Sequence, residues 1–287
     1  MLPLPEQPAD RSVYLKPIEG FPVPASRRAA VKVSAVIITY NEAKNIRRTL
    51  SHLDWCDEII IVDSYSTDET VAICREFNCT VYLKKFEGYG AQKQYAVSKA
   101  SHDWILNIDA DEVLSDSLFM EIASVMRKTP RHTGYYLAIG LVFFDKEFLY
   151  GKESWRYFLR LFNKNYGNFT DCPVHEKVRL KGPTHKFHHK MLHYSYSGIH
   201  QWEEKCSRYS TLAARNAVAK GRKMPVVLVI LSLPFYFFKY YLLELNFLNG
   251  IEGFYWSVLS AYYHFIKYIK IRELYKAEKN KQIFNAQ

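Results

Sequence analysis

From Val31 onward, short apolar runs alternate with stretches of helical spacing. Val33 to Thr39 is a β-rich apolar run, and Asn41 to His52 reads as helical, with Ile46 and Leu50 four apart. Glu58 to Val62 is a second buried-type strand. The helix that follows has Ser66, Thr67 or Asp68 as its cap and Val71, Ala72 and Cys74 among its apolar positions. Thr80 to Leu83, a helix from about Ala91 to Ala100, and Trp104 to Ile108 continue the alternation. Strand and helix alternating at this spacing predict βαβ units, hence an α/β fold with a parallel sheet covered on both faces. Ligands of such sheets bind beyond the carboxyl ends of the strands, so the polar residues just after each run are the ones to weigh.

The flanks differ. Six of the eleven prolines fall in the first 24 residues, without apolar periodicity, so residues 1–30 read as an extended arm. Residues 151–200 are rich in His, Lys, Arg and aromatics with weak periodicity, and read as loops and short strands closing over a site. After Gly221 two apolar stretches appear, Met224 to Phe238, interrupted by Pro225 and Pro234, and Phe254 to Ile266. Both are shorter than the roughly 20 residues of a spanning helix. Their Tyr, Trp and Lys suit the headgroup layer of a membrane, so interfacial or re-entrant helices are the reading; packed core helices with Lys at their ends are the alternative. The expected organisation is an arm (1–30), an α/β domain (31–220) and a membrane-associating helical extension (221–287).

Composition adds a boundary and a direction. With 287 residues, 48% hydrophobic and 16% aromatic, the chain is neither disordered nor collagen-like. Its five cysteines form no CxxC pair, which fits a reducing compartment, and no charged leader with an apolar run opens it. The net charge of +10 is unevenly spread. Residues 31–150 carry 13 basic against 17 acidic side chains, residues 151–219 carry 12 against 5, and residues 220–287 carry 10 against 4. A basic patch serves nucleic acid, anionic lipid or phosphorylated substrates, and the motifs decide among them.

The sharpest motif is Asn107-Ile108-Asp109-Ala110-Asp111-Glu112, directly after an apolar run. Asp109 and Asp111 present two carboxylates beyond the sheet edge, where oxygen ligands hold a divalent cation of Mg²⁺ or Mn²⁺ type that neutralises a diphosphate leaving group. The plainer role of Asp111 or Glu112 is to cap the next helix. Upstream, Thr39-Tyr40-Asn41-Glu42 and Asp63-Ser64-Tyr65-Ser66 supply hydrogen-bonding groups at two strand ends, suited to a nucleotide base and ribose; as turn residues, Asn41 and Ser66 have a structural reading too. Gly88-Tyr89-Gly90-Ala91-Gln92-Lys93 leads into a helix and places Lys93 to reach base or phosphate. No dinucleotide or P-loop glycine fingerprint is present.

Together, Ala35-Val36-Ile37-Ile38-Thr39-Tyr40-Asn41-Glu42, Ile60-Ile61-Val62-Asp63-Ser64-Tyr65-Ser66-Thr67-Asp68-Glu69-Thr70 and Asp109-Ala110-Asp111-Glu112 resemble the family 2 glycosyltransferases of GT-A fold, in the right order over about residues 33–275. The stretches Arg160-Leu161-Phe162, Val174-His175-Glu176, Leu192-His193-Tyr194-Ser195-Tyr196 and Tyr209 to Arg215 look most like the branch containing lipopolysaccharide inner-core β-glucosyltransferases. Tyr65 is a departure, since many relatives have a small residue there, usually Gly.

The resemblance implies a GT-A sheet, a nucleotide-sugar donor, most often a UDP-sugar, and inversion at the anomeric carbon. It places Thr39, Tyr40, Asn41, Glu42, Asp63, Ser66, Lys93 and Asp109 at the donor. Glu176 is the candidate base, with His175 a further metal ligand or diphosphate donor; a salt bridge of Glu176 to Lys177 or Arg179 is the structural alternative. Among the arginines, Arg160 and Arg215 are chosen for diphosphate or acceptor phosphate, although each equally suits a solvated surface. The histidines His185, His188, His189, His193 and His200 match no usual zinc spacing; they read as a polar acceptor-facing surface, with His193 the one of the set expected to serve the site.

The function expected is transfer of a hexose to a lipopolysaccharide-core or other lipid-linked envelope glycan, at the cytoplasmic face of the inner membrane and without nucleic acid. Alternatives are transfer to a polyprenyl phosphate or another envelope polysaccharide, and a non-catalytic membrane-associated nucleotide-sugar-binding protein.

Overall fold

The computed structural model describes residues 13–15, 31–170, 176–196 and 198–284. The strands are β1 (Val13–Leu15), β2 (Val33–Thr39), β3 (Glu58–Asp63), β4 (Thr80–Leu83), β5 (Trp104–Asn107), β6 (Glu112–Leu114), β7 (Gly134–Phe143), β8 (Lys146–Glu147), β9 (Arg156–Asn163), β10 (Gly167–Phe169), β11 (Val178–Leu180) and β12 (Thr184–Tyr196). The helices are α1 (Ile46–Leu50), α2 (Thr70–Glu76), α3 (Tyr89–Lys99), α4 (Asp116–Met126), α5 (Ile199–Ala219), α6 (Val226–Phe238) and α7 (Gly250–Phe284). By compactness the chain divides into Met1–Ile139 with Trp155–Tyr194, and Gly140–Ser154 with Ser195–Gln287. The division therefore assigns α5 to the C-terminal unit, before the boundary expected after residue 220.

The first unit is built on a mixed sheet of order β1-β4-β3-β2-β5-β9-β7-β12-β6. Its β4-β3-β2-β5 core is parallel, as the βαβ alternation predicts, and β9 joins antiparallel with Leu161 opposite Leu106. Both faces of the parallel strands are buried, which is why they read as unbroken apolar runs. Val33, Ala35, Ile37 and Ile61 pack with Leu50, Cys74, Leu118 and Ile122 from α1, α2 and α4. Val36, Ile60, Val62 and Ile105 pack on the other face with Ala96 and Val97 of α3.

Three expectations change. Where loops and short strands were expected in residues 151–200, the 8-residue β9 and the 13-residue β12 extend the main sheet, because mixed antiparallel strands half-exposed to water show a weaker apolar period than buried parallel ones. The helix expected from Asn41 starts at Ile46, since Asn41 adopts φ 55° and is held to the next strand's loop. Within the N-terminal arm, Val13–Leu15 are not merely extended; they pair with β4 and satisfy its outer edge.

In the second unit, Tyr196 and Trp256 join Phe143 and Phe148 in an aromatic core. Lys270 of α7 donates to Ser207 O, Ser210 Oγ and Thr211 Oγ1, tying α7 to α5. Asn249 binds Leu149 N and Tyr150 N through Oδ1 and donates from Nδ2 to Tyr150 O, fixing the loop after β8. Pro234 does not end α6, and a following π turn carries the helical run from Val226 to Leu243, 18 residues of mean hydropathy 1.9. That run is longer than the stretch expected from sequence and meets the length and apolarity needed to cross a membrane. Phe254 to Ile266 is part of the 35-residue α7, not a separate element.

Candidate active site

The parallel strands deliver their ends to one edge, and two of these ends are stapled together. Asp63, fully buried at the end of β3, accepts from Thr39 Oγ1 (2.8 Å), Ser66 N (2.7 Å) and Ser66 Oγ (2.5 Å). Asn41 N donates to Ser66 Oγ (2.8 Å), and Asn41 Oδ1 accepts from Thr67 N (2.8 Å). The expected donor residues Thr39, Asn41, Asp63 and Ser66 thus form one network, in which Asp63 shapes the loop from the inside and Tyr40 and Asn41 face solvent. Glu42 accepts from Asn45 Nδ2 at 2.9 Å, and its own N–H donates to Thr70 Oγ1. Of the expected cap residues, Asp68 serves the start of α2, accepting from Thr70 N at 3.0 Å.

Tyr65 sits at φ 62°, the left-handed region where glycine is the least strained residue. This is the position where the resemblance expected a small residue. Missed by the sequence reading was Gln92, fully buried, whose Nε2 donates to Ser64 Oγ (3.0 Å) and Lys84 O (3.2 Å) and so anchors α3 to the β3 end. Its setting between Gly88 and Lys93 was the available signal.

Beyond β5 lies a chain of alternating charges. Lys93 Nζ is 2.8 Å from Glu176 Oε1 and 3.1 Å from Asp109 Oδ1. Arg160 Nη2 is 2.8 Å from Asp109 Oδ2 and 2.5 Å from Glu112 Oε1, while Glu112 Oε2 accepts from Asp109 N at 2.9 Å. Asp111 Oδ2 is 3.2 Å from His193 Nε2 on β12, and Tyr194 N donates to Asp111 O. Lys93 comes from α3, Arg160 from β9 and His193 from β12; only the folded sheet joins them to the loop after β5.

The charges set one another. Burial works against an ionised Asp109, but Arg160 and Lys93 outweigh it and hold the carboxyl well below the usual carboxylate range. Burial likewise opposes a charged Lys93 and a charged Arg160, and the facing carboxylates reverse it, raising both. For Glu112 burial prevails and raises the carboxyl despite Arg160. Burial lowers His193, yet Asp111, with Glu112 and Asp109 behind it, pushes it up to about 9. Glu112 is therefore a buried partner of Arg160 and not a helix cap; α4 is capped by Ser115, whose Oγ accepts from Leu118 N.

The remaining expectations separate. Glu176 pairs with Lys93 and not, as its structural alternative had it, with Lys177 or Arg179. His175 lies outside the described residues. Arg215 is exposed on α5 in the second unit. His188 and His189 bind Glu121 through their backbone N–H groups.

No group of three or more His, Cys, Asp or Glu forms a metal cage among the described residues. The donor set nevertheless fits a Mg²⁺-type ion. Such ions are usually held by one or two carboxylates with substrate phosphates and water completing the shell, and Asp109, one-third exposed, and Asp111 follow the end of β5 two positions apart in sequence.

The chain is similar to several known proteins. Residues 34–186 match the family described as Glycosyl transferase family 2. The chain is 33% identical over 261 residues to an uncharacterized glycosyltransferase of Rickettsia felis, covering 87% of this chain and 92% of that one. It is 29% identical over 257 residues to the lipopolysaccharide core biosynthesis glycosyltransferase LpsC of Rhizobium meliloti, covering 86% and 95%. Among solved structures, Staphylococcus aureus TarS in complex with UDP is 22% identical with a TM-score of 0.34, over 39% of this chain and 36% of its own. The mixed sheet with its parallel core, flanked by helices, has the GT-A arrangement. With residues 34–186, more than half of the chain, matched by the family and relatives aligned over nearly their whole length, the chain belongs to glycosyl transferase family 2.

Proposed function

We propose that the protein is an inverting glycosyltransferase that moves a hexose from a nucleotide-sugar donor, a UDP-sugar by preference, to a hydroxyl of a lipopolysaccharide-core or other lipid-linked envelope glycan. The observation that carries this reading is the placement of Lys93 and Arg160 on either side of Asp109, with Glu176 on the far side of Lys93. Lys93 and Arg160 offer charge-assisted donors to the diphosphate as negative charge develops on it. Asp109 and Asp111 would hold a divalent cation, which when bound supplies further neutralisation of that charge.

Glu176 is the base in this mechanism. An acceptor O–H gives its proton to the Glu176 carboxylate while its oxygen bonds to the anomeric carbon. The bond from that carbon to the diphosphate oxygen breaks, and the nucleoside diphosphate leaves with the electron pair. Attack opposite the leaving group inverts the centre. The Thr39, Asn41, Asp63 and Ser66 network shapes the rim for the nucleotide, with Tyr40 exposed beside it.

The lipid-linked acceptor is supported by the second unit and by the lipopolysaccharide-core role named for the R. meliloti relative. Ile230, Leu231, Phe235 and Phe238 of α6 expose more than half of their surface. Their polar neighbours are satisfied inward, with Tyr236 Oη 2.9 Å from Tyr268 Oη and Tyr240 Oη 2.9 Å from His264 Nε2. An apolar face of this kind beside a basic segment suits an anionic membrane surface, here the cytoplasmic face of the inner membrane.

The test is a panel of nucleotide sugars given to the full chain in detergent with Mg²⁺ or Mn²⁺, following nucleoside diphosphate release with and without a deacylated lipopolysaccharide-core acceptor. Release with one donor, stimulated by the acceptor and stopped by Glu176→Gln, supports the reading. No release from any donor overturns it.

A further inference from the structure

Resting on the membrane contact of that reading and sharpening it, we infer that α6 does not lie on the headgroups but is submerged in the hydrocarbon of the bilayer, entering and returning on one side. The distribution of side chains carries this. Between Val226 and Tyr262 the described residues that are buried are Val229, Ser232, Asn246, Asn249, Gly253, Ser257 and Ala261, and all but Val229 are small or polar. A Cβ on Gly253 would collide with Asn246 O, so the two backbones meet there directly. The large apolar side chains point the other way. Val227, Ile230, Leu231, Leu233, Phe235 and Phe238 are exposed, and Leu243 beyond them is 80% exposed. Helices packed in water place their large apolar residues between them; helices packed in lipid place small ones there and turn the large ones outward.

An in-plane amphipathic helix keeps a charged stripe toward water, whereas a helix apolar all round belongs in a protein core or in a membrane. Val226 to Leu243 has one charged residue, Lys239, which pairs with Glu244 at 3.7 Å. The exposed positions of α6 cover more than half of its circumference, so no protein core encloses it. Polar groups nearby are satisfied within the helices, as hydrocarbon requires: Ser232 Oγ donates to Val229 O, Ser257 Oγ to Gly253 O and Asn246 Nδ2 to Tyr240 O. Both ends of α6 are held on one side. Lys220, Arg222 and Lys223, exposed before its start, match anionic headgroups, and Arg272 of α7 donates to Met224 O there. At the other end Asn249 holds Leu149 and Tyr150, and a Cβ on Gly151 would collide with Glu244 O. That loop is flanked by Lys146, Glu147, Lys152 and Glu153, whose transfer across a bilayer is costly. α6 is therefore re-entrant, although its length and apolarity meet the requirement for crossing.

The experiment reconstitutes the full chain into vesicles of phosphatidylcholine and phosphatidylglycerol and photolyses a diazirine dissolved in their hydrocarbon, with labelled peptides mapped by mass spectrometry. Label falls on Ile230, Leu231 and Phe235 and spares Ser257 and Ala261. The protein stays with the vesicles through high-salt and alkaline carbonate washes and leaves them only in detergent. Ile230→Lys combined with Leu231→Lys weakens vesicle binding by about tenfold or more at unchanged melting temperature in detergent, because lysines at hydrocarbon depth are costly. On a helix lying among anionic headgroups the same lysines would tighten binding. Release by salt or carbonate, tighter binding of the lysine variant, or an α6 left unlabelled because a second copy covers it overturns the inference. Turnover of a nucleotide sugar by wild type in detergent reads the proposed function separately: turnover without insertion removes this inference alone, and insertion without turnover leaves it standing.

Discussion

Arg160 Nη2 lies 2.8 Å from Asp109 Oδ2, joining a carboxylate just past the end of a parallel strand to a guanidinium delivered by the antiparallel neighbour. Because Arg160 is buried and also holds Glu112, it is the centre of a desolvated network. Removing one partner of a buried pair leaves the other uncompensated, at about 3–5 kcal/mol. Arg160→Ala is expected to lower stability by that amount in a urea titration and to abolish turnover. A variant that melts with wild type would show the network to be energetically idle.

Asp109→Asn should behave differently. Lys93 keeps Glu176 and Arg160 keeps Glu112, so both cations retain a charged partner and the fold is expected to persist by circular dichroism. Turnover should fall about 100-fold, the size of a lost electrostatic contact to a developing charge. With wild type, chelation by EDTA should stop nucleoside diphosphate release and Mn²⁺ restore it; release that ignores EDTA removes the cation from the proposed chemistry.

Tyr65 at φ 62° carries a conformational cost of about 1–2 kcal/mol that glycine would not. Glycine's greater freedom in the unfolded chain returns about 0.5–1 kcal/mol of this. Tyr65→Gly is therefore expected to stabilise the protein by up to about 1.5 kcal/mol, read from the denaturation midpoint. Destabilisation would mean that the Tyr65 side chain contributes contacts worth more than the strain.

Burial pushes the Cys74 thiol up to about 12, aided by the nearby Asp63 and Asp68 carboxylates. The thiolate is the reactive form, so at pH 8 roughly one Cys74 in ten thousand is ionised. Iodoacetamide at pH 8 should leave Cys74 unmodified in native protein and label it in urea, as read by peptide mass spectrometry. Rapid native labelling would place Cys74 outside the core.

The exposed apolar face of α6, assigned above to a membrane surface as a proposal, can be broken by substitution. Leu231 and Phe235 are 55% and 62% exposed, so Leu231→Glu and Phe235→Glu leave packing intact in solution. The double variant should stay behind when wild type floats with phosphatidylglycerol-rich vesicles. Equal flotation would assign the apolar face to some other partner.

The sequence by itself determined the parallel core, the succession of its strands and helices along the chain, and the residues at the strand ends. It did so because both faces of those strands are buried, so their apolar runs are continuous and each ends abruptly in polar residues such as Asp63 and Asp109. It also placed Lys93 and Arg160 among the candidates without showing what they meet. Tertiary structure decided the partners: that Glu176 meets Lys93 across 83 positions, that Glu112 backs Arg160 instead of capping α4, and that His193 turns to Asp111. Segments 156–163 and 184–196 looked like loops and short strands because a strand exposed on one side and interspersed with Lys and His carries little period of its own. Local pattern records which face of an element is buried. Which charges must be neutralised together is set only when antiparallel strands bring distant side chains into the same low-dielectric space, where an unpaired charge is too costly to leave.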